Sequence, residues 1–267
     1  MAKYERTEGV CLRRVDYSNT SQVATFLTLR AGQLPFMCKG IRRSPKRGIG
    51  QGMELGARYR LTFFKRRSSN LYTLADHHML DAYYGTRMAL ERILCSYYAI
   101  ELMRNFTVEN DPCRRLYHLL GGSLERFERG QALGLSVLFL EIECLRNHGM
   151  LPTFDLCAEC GEDFPADARL SFSASHAGPL CPACAQGEDS RGASLPVRAQ
   201  RLISLASLCE YPAEEAGDLS LPPKEIVACS RLLRFHMRYL LGKELKMWKY
   251  LHGRHLSRSL RAIRGKG

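Results

Sequence analysis

The sequence predicts an α+β chain, in which a small N-terminal β-barrel is followed by an α-helical domain with an embedded four-cysteine zinc knuckle. Three observations lead there. Apolar residues alternate or run over strand lengths in residues 1–80, the apolar spacing changes to three and four from about Leu80, and two Cys-x2-Cys pairs interrupt the helical pattern.

Five segments read as strands: "GVCLRRV", "VATFLTL", "LPFMCKG", "RYRLTFF" and "LYTLA". Turn chemistry separates them in "DYSNTS", "RAGQ", "GIRRSPKRGIGQG" and "KRRSSN". Five short strands in this length suggest a closed or nearly closed barrel, and SH3-like and OB-type barrels both fit. Alternation in "RYRLTFF" places Arg58, Arg60 and Phe64 on one face. Phe64 there would either stack on a base or cover a side of the barrel.

The first helix is expected in "LDAYYGTRMALERILCSYYAIELMRNF" and a second from Asp111 as N-cap with Pro112 in its first turn. A third, "ALGLSVLFLEIECLRNHG", is apolar nearly all round and is expected at the centre of the bundle, with Gly149 and Pro152 as its stop. Residues 153–190 lose the period, although "RLSFSASHAGPL" could form a hairpin. Helices resume at "PVRAQRLISLASLCEY", and a long basic amphipathic helix from Pro222 is expected to break near Gly242. The boundaries are therefore 1–80 for the barrel, 81–152 and 191–256 for the helical domain, 153–190 for the zinc insertion, and 257–267 for a basic disordered tail.

Cys157 and Cys160 stand two residues apart, as do Cys181 and Cys184. Two such pairs can converge on one tetrahedral Zn²⁺, and Gly161 suits the turn after the first. Four sulfur ligands leave no open position for water or substrate, so the zinc is expected to be structural. A redox pair would not need a second copy. His176, between the pairs, is expected in an exposed turn, and the seven other cysteines as small buried residues.

The formal charge of +12 is unevenly spread. Residues 1–80 carry 15 Lys and Arg against 5 Asp and Glu, residues 81–223 carry 12 against 20, and residues 224–267 carry 12 against 2. Two basic ends around an acidic middle imply a polyanionic partner. Lys39, Arg42, Arg43, Lys46 and Arg47 cluster in a Gly/Pro-rich loop, and Lys65, Arg66 and Arg67 at a hairpin tip. Loops of a small barrel are where an oligonucleotide site concentrates its cations. Near the other end Arg234, Arg238, Lys243 and Lys246 share a helix with Leu232, Leu233, Phe235 and Trp248. Its apolar stripe is expected to pack the core and leave the cations to a partner.

No nucleotide-cradling GxxxxGK[ST], GxSxG nucleophile turn, HExxH or deaminase HxE is present, so no enzyme is expected. The start has no apolar signal segment and no run long enough to span a bilayer, so a cytoplasmic, nucleoid-associated protein is expected, with no membrane partner.

Together, "TEGVCLRRVDY", "GQLPFMCKGIRR", "FLEIECLRNHGMLPTFDLCAECG", "FSASHAGPLCPAC" and "LGKELKMWKYL" resemble the RecO family of bacterial DNA repair proteins. The resemblance covers most of the chain and implies an N-terminal OB-fold barrel. It implies a non-enzymatic recombination mediator that binds single- and double-stranded DNA, anneals complementary strands and, with RecR, loads RecA recombinase onto SSB-coated DNA, with RecF a further candidate partner. By position it makes the loop from Lys39 to Arg47 DNA-contacting, and Arg234, Arg238, Lys243 and Lys246 a dock for the acidic C-terminal tail of single-strand-binding protein. The alternatives are a DNA glycosylase with a four-cysteine finger and a zinc-ribbon RNA-binding protein. Against the glycosylase, 83 residues follow Cys184 and "MAKYE" lacks a Pro-Glu start.

Overall fold

The computed structural model describes residues 3–42, 52–65, 71–186, 194–212 and 219–251. The chain divides into two compact units, one ending at Gln131 and the other beginning at Ala132.

In the first unit β1 (Glu5–Asp16), β2 (Gln22–Thr28), β3 (Gly32–Cys38), β4 (Arg58–Lys65) and β5 (Tyr72–Asp81) close into a barrel in the order β1-β2-β3-β5-β4. That order, with β3 and β5 parallel and the other neighbours antiparallel, is OB-like and resolves the choice left by periodicity. β1 is long because it serves two neighbours. Glu5–Val10 pairs with β4 and Gly9–Asp16 with β2, and a bulge between Cys11 and Arg13 adds the bend this requires. Gly9 is paired on both sides, and a Cβ there would come within 3.1 Å of the Phe26 Cβ.

Alternation fills the barrel as expected. Tyr59, Leu61 and Phe63 are buried, while Arg58, Arg60 and Phe64 take the outer face. Phe26, Phe36, Tyr59 and Phe63 meet edge to face, with centroids 5.6 Å (Phe26–Phe36), 5.7 Å (Phe26–Tyr59) and 5.1 Å (Phe36–Phe63) apart. Each such ring removed from water contributes roughly 1.5–3 kcal/mol. Phe64 meets Tyr4 edge-on at 5.4 Å, so part of its face is covered by the chain's own N-terminal segment.

Two helix boundaries differ from expectation. Leu80 and Asp81 belong to β5, because Arg58 pairs with Asp81, and a 3-10 turn (Tyr84–Met88) precedes α1 (Leu90–Phe106). α2 (Arg114–Arg129) is capped by Cys113 rather than Asp111. The Asp111 backbone is used elsewhere: it packs on the β2–β3 turn so closely that a Cβ on Gly32 would lie 2.1 Å from its carbonyl oxygen. α2 ends in a Schellman turn, with Gly130 at φ 72° and the Gln131 N–H donating to the Arg126 carbonyl at 2.9 Å. The Gln33 amide ties barrel to helix, donating to the Thr107 carbonyl at 2.6 Å and its hydroxyl at 2.8 Å.

The second unit holds α3 (Leu133–Asn147), β6 (Arg169–Ser173), β7 (Gly178–Leu180), α4 (Pro182–Ala185), β8 (Ser194–Arg198), α5 (Ala199–Glu210), α6 (Pro223–Leu241) and α7 (Trp248–Leu251). The expected hairpin between the cysteine pairs is β6–β7. A third strand was not expected. Pro196, Val197 and Arg198 were read as helix, yet they complete β8 against β6, and α5 starts at Ala199. Pro196 lacks the N–H a helix interior needs and is tolerated on the edge strand of the β7-β6-β8 sheet. α6 stops at Gly242, which is at φ 64°.

Every residue of α3 from Leu135 to Leu145 is buried, including Glu141 and Glu143. Glu141 is paid for by α6: the Arg234 Nε–H donates to its Oε1 at 2.5 Å and the Ser230 hydroxyl to its Oε2 at 2.6 Å. The Arg234 guanidinium also lies 5.4 Å from the Trp248 ring centroid. Glu143 pairs with Arg146, which in turn donates to the Cys209 carbonyl and joins α3 to α5. A buried charge that loses its partner costs about 3–5 kcal/mol, whereas replacing both partners by apolar residues is often neutral. Arg234→Met should therefore destabilise the protein by about that amount, and Glu141→Leu/Arg234→Met should recover most of the loss. Urea unfolding of the single and double variants measures both.

Candidate metal centre and nucleic-acid interface

The four paired cysteines converge as their spacing predicts. Their sulfurs all lie within 4.8 Å of one another, with Cys160 and Cys181 Sγ 4.0 Å apart. Metal–sulfur bonds of about 2.3 Å in a tetrahedron require sulfur–sulfur edges of about 3.8 Å, so the quartet fits one metal ion. The backbone makes the first knuckle by turning at Gly161 (φ 74°), whose N–H donates to the Cys157 carbonyl at 2.9 Å, while the Cys157 N–H donates to Glu162 at 2.9 Å. The second pair follows β7 directly, and the Ala185 N–H closes α4 onto the Cys181 carbonyl at 2.9 Å.

Cys157 is buried, Cys160 exposed, and Cys181 and Cys184 are between. Burial pushes the Cys157 thiol up, but amides of Cys160, Cys181 and Glu159 outweigh it and hold the thiol at about 6. The Cys181 N–H itself points at the Cys157 sulfur, 3.4 Å away. Cys184 is pushed up instead, first by its hydrogen bond to Cys181. Thiols this close compete for their protons, and one cation replaces that competition with four thiolate bonds. His176 stands in the hairpin turn and shares hydrogen bonds with Ser173 (3.0 Å) and Ser175 (3.3 Å). Among the described residues it is not part of the metal-binding group.

The cysteine module is rooted on α6. Phe172 of β6 is fully buried and meets Phe235 and His236 edge-on, with centroids 6.4 Å and 6.1 Å away. His236 Nε2 lies 3.1 Å from the Met150 carbonyl, which makes Nε2 the protonated nitrogen.

The basic residues are less uniform. Lys39 and Arg42 are exposed after β3, and Lys65 is exposed at the end of β4. Lys65 stands opposite Tyr72, and Tyr72 opposite Phe36, three residues before Lys39. Barrel register therefore brings the two loop bases to one seam. Arg42 is ion-paired with Asp16 at 2.8 Å and Lys65 lies over the Tyr72 ring at 5.4 Å. Asp16 is 26 residues from Arg42 and reaches it across β2, because Asp16 pairs with Gln22 and Gln22 with Cys38. Arg43, Lys46, Arg47, Arg66, Arg67 and the tail 257–267 lie outside the described residues. On α6 and beyond, Arg238, Lys243 and Lys246 are exposed. Arg234 is not a surface cation, since it is 6% exposed and committed to Glu141. No helix among the described residues is long and apolar enough to cross a membrane.

Family models described as Recombination protein O N terminal and Recombination protein O C terminal match residues 1–83 and 87–249. The chain is similar to the DNA repair protein RecO of Myxococcus xanthus, 30% identical over 246 residues that cover 92% of this chain and 96% of that protein. The proteins of the same name from Anaeromyxobacter sp. (strain K) and Roseiflexus sp. (strain RS-1) are 29% and 30% identical, over 91% and 92% of this chain and 94% and 84% of theirs.

Two outcomes follow from the geometry. Freshly purified protein should carry one metal ion per chain by elemental analysis, and Cys157→Ser should lower the melting temperature by about 5 °C or more in scanning calorimetry. Burial also holds the His236 imidazole below its ordinary value, against the Met150 and Ala174 carbonyls. The folded protein then binds fewer protons than the unfolded chain, so this contribution is complete above a pH of about 6.5 and is lost as pH falls below it. Denaturant titrations at neutral and mildly acidic pH should show the loss, and His236→Gln should flatten that part of the profile.

Proposed function

This chain belongs to the recombination protein O family, and from that premise we propose that it is a non-enzymatic, DNA-binding mediator of recombinational repair. It binds single- and double-stranded DNA, anneals complementary strands, and acts with RecR to load RecA onto DNA coated by single-strand-binding protein, with RecF as a further candidate partner. The observation that carries the reading is an OB-like barrel whose seam between β3 and β5 is flanked by Lys39, Arg42 and Lys65. Residues 1–80 are the DNA-binding part, and Arg43, Lys46, Arg47, Arg66 and Arg67, close in sequence to these cations, add to its positive charge. Cations replace condensed counterions along a phosphate backbone, and the gain needs no base sequence.

The metal is zinc in this reading, since four thiolates in tetrahedral reach suit Zn²⁺ and close its coordination sphere. Its role is to hold the segment that carries the two cysteine pairs in shape on α6. Arg238, Lys243 and Lys246, with Arg238 stacked 5.6 Å from the Phe235 ring, offer an acidic protein tail both charge and an apolar neighbour. Arg234 is set aside as a direct contact because its charge is already neutralised by Glu141. Such a protein works in the cytoplasm, on the nucleoid.

Fluorescence-detected annealing of complementary oligonucleotides tests the proposal. The protein should accelerate annealing at low salt, and Lys39→Ala/Lys65→Ala should lower the slope of log affinity against log salt for single strands by about 1.4, roughly 0.7 for each lost phosphate contact. Preference for RNA of the same sequence, or incision of damaged duplex, would instead support the RNA-binding or glycosylase alternatives.

A further inference from the structure

The first unit contains a cavity of about 580 Å³ whose lining, among the described residues, includes none of Lys39, Arg42 and Lys65. This is within the roughly 300–1,000 Å³ that holds one small ligand. It lies between the β1 end and the segment before β4 on one side and α1 with the preceding turn on the other. Ile93, Ile100 and Leu124 supply apolar lining, and Tyr97 lines it while remaining 43% exposed. Arg14, Glu54 and Arg87 are also in its wall. Arg87 is ion-paired with Glu54, and the Arg14 guanidinium donates to the Met53 carbonyl.

Resting on the reading of the barrel as a single-strand-binding surface, we propose that this cavity takes one unpaired nucleobase of the bound strand. Four observations converge. Arg14 lines both this cavity and an open basin on the barrel formed with Asp16, Gln22 and Arg42, so a strand whose phosphates pass Arg14 and Arg42 carries its bases past the cavity mouth. Tyr97 offers an aromatic face at that mouth, and stacking on such a ring accepts any base. The wall presents both kinds of hydrogen-bonding group that a base edge needs. Arg14 is a donor and the Glu54 carboxylate an acceptor, while the Ser96 and Thr86 hydroxyls, already donating to the Arg92 and Tyr83 carbonyls at 2.8 Å and 2.7 Å, keep lone pairs. Finally, Tyr83 at the cavity edge is held in the left-handed region at φ 47°, ψ 48°, a conformation that a bulky residue adopts only when its surroundings impose it. A paired base has both its face and its edge occupied and cannot enter, so the cavity distinguishes single from double strands.

The test compares full-length wild type, Tyr97→Ala and Tyr97→Phe by fluorescence anisotropy with one oligonucleotide, single-stranded and as duplex, after matched melting temperatures confirm folding. Loss of one base stack by alanine substitution corresponds to about a five-fold or larger loss of single-strand affinity. Tyr97→Ala should show that loss with unchanged duplex affinity, and Tyr97→Phe should retain wild-type binding to both. Unchanged single-strand affinity in Tyr97→Ala would overturn the proposal and leave the cavity to another occupant, such as a side chain of a partner protein. An equal loss for single strand and duplex would overturn it as well. Wild-type protein that binds no single strand would overturn the reading of the barrel itself, a failure distinct from that of the cavity.

Discussion

Closure of the barrel by β1 is the constraint on which the first unit depends. One strand satisfies β4 with its first half and β2 with its second, and the bulge beyond Cys11 turns it between them. Because the barrel closes, every strand in it has a neighbour on both sides, and the aromatic interior lies within the ring they form. The consecutive pairing of β1, β2 and β3 brings Asp16 to Arg42, and the β4–β5 pair sets Lys65 opposite Tyr72.

The second unit is organised differently, around a charge rather than a ring of strands. Glu141 sits in a helix with no exposed residue from Leu135 to Leu145, and its two carboxylate oxygens are each satisfied from α6. This fixes the rotation of α6 against α3, because Ser230 and Arg234 are four residues apart and face α3 together. α6 in turn carries Phe235 and His236, against which the cysteine module packs. The metal quartet therefore needs no contact with a deep core of its own, since Cys160 remains exposed and the module is supported through Phe172.

Legibility in the sequence followed the range of the interaction. The cysteine quartet, the strand alternation in β4 and the stop at Gly242 are local patterns and were readable. The start of α2 was misplaced because Asp111 has the composition of a cap, while its backbone is claimed by packing on Gly32, which no local pattern records. β8 was missed because a five-residue strand next to a helix has little period of its own, and its partner β6 precedes it by more than twenty residues. Arg234 reads as a surface cation because it stands among Arg231, Arg238 and Lys243 on an amphipathic helix whose apolar stripe alone is expected in the core, whereas it is buried. The available signal was Glu141, a carboxylate inside an otherwise apolar run, which demands a buried cation somewhere in the chain. The cavity beside Tyr97 left no signal at all, since its walls come from segments between Arg14 and Leu124.

The barrel is not zipped evenly. β1 and β4 are paired from Glu5–Phe63 to Val10–Arg58, whereas β3 and β5 are joined only at Phe36–Tyr72 and Met37–Thr73. Thermal fluctuations open a closed sheet where the fewest hydrogen bonds must break together. Breathing of this barrel thus starts at the parallel seam, between the turn carrying Lys39 and the strand end carrying Lys65, and the most static part of the wall is the one farthest along the sheet from those two lysines.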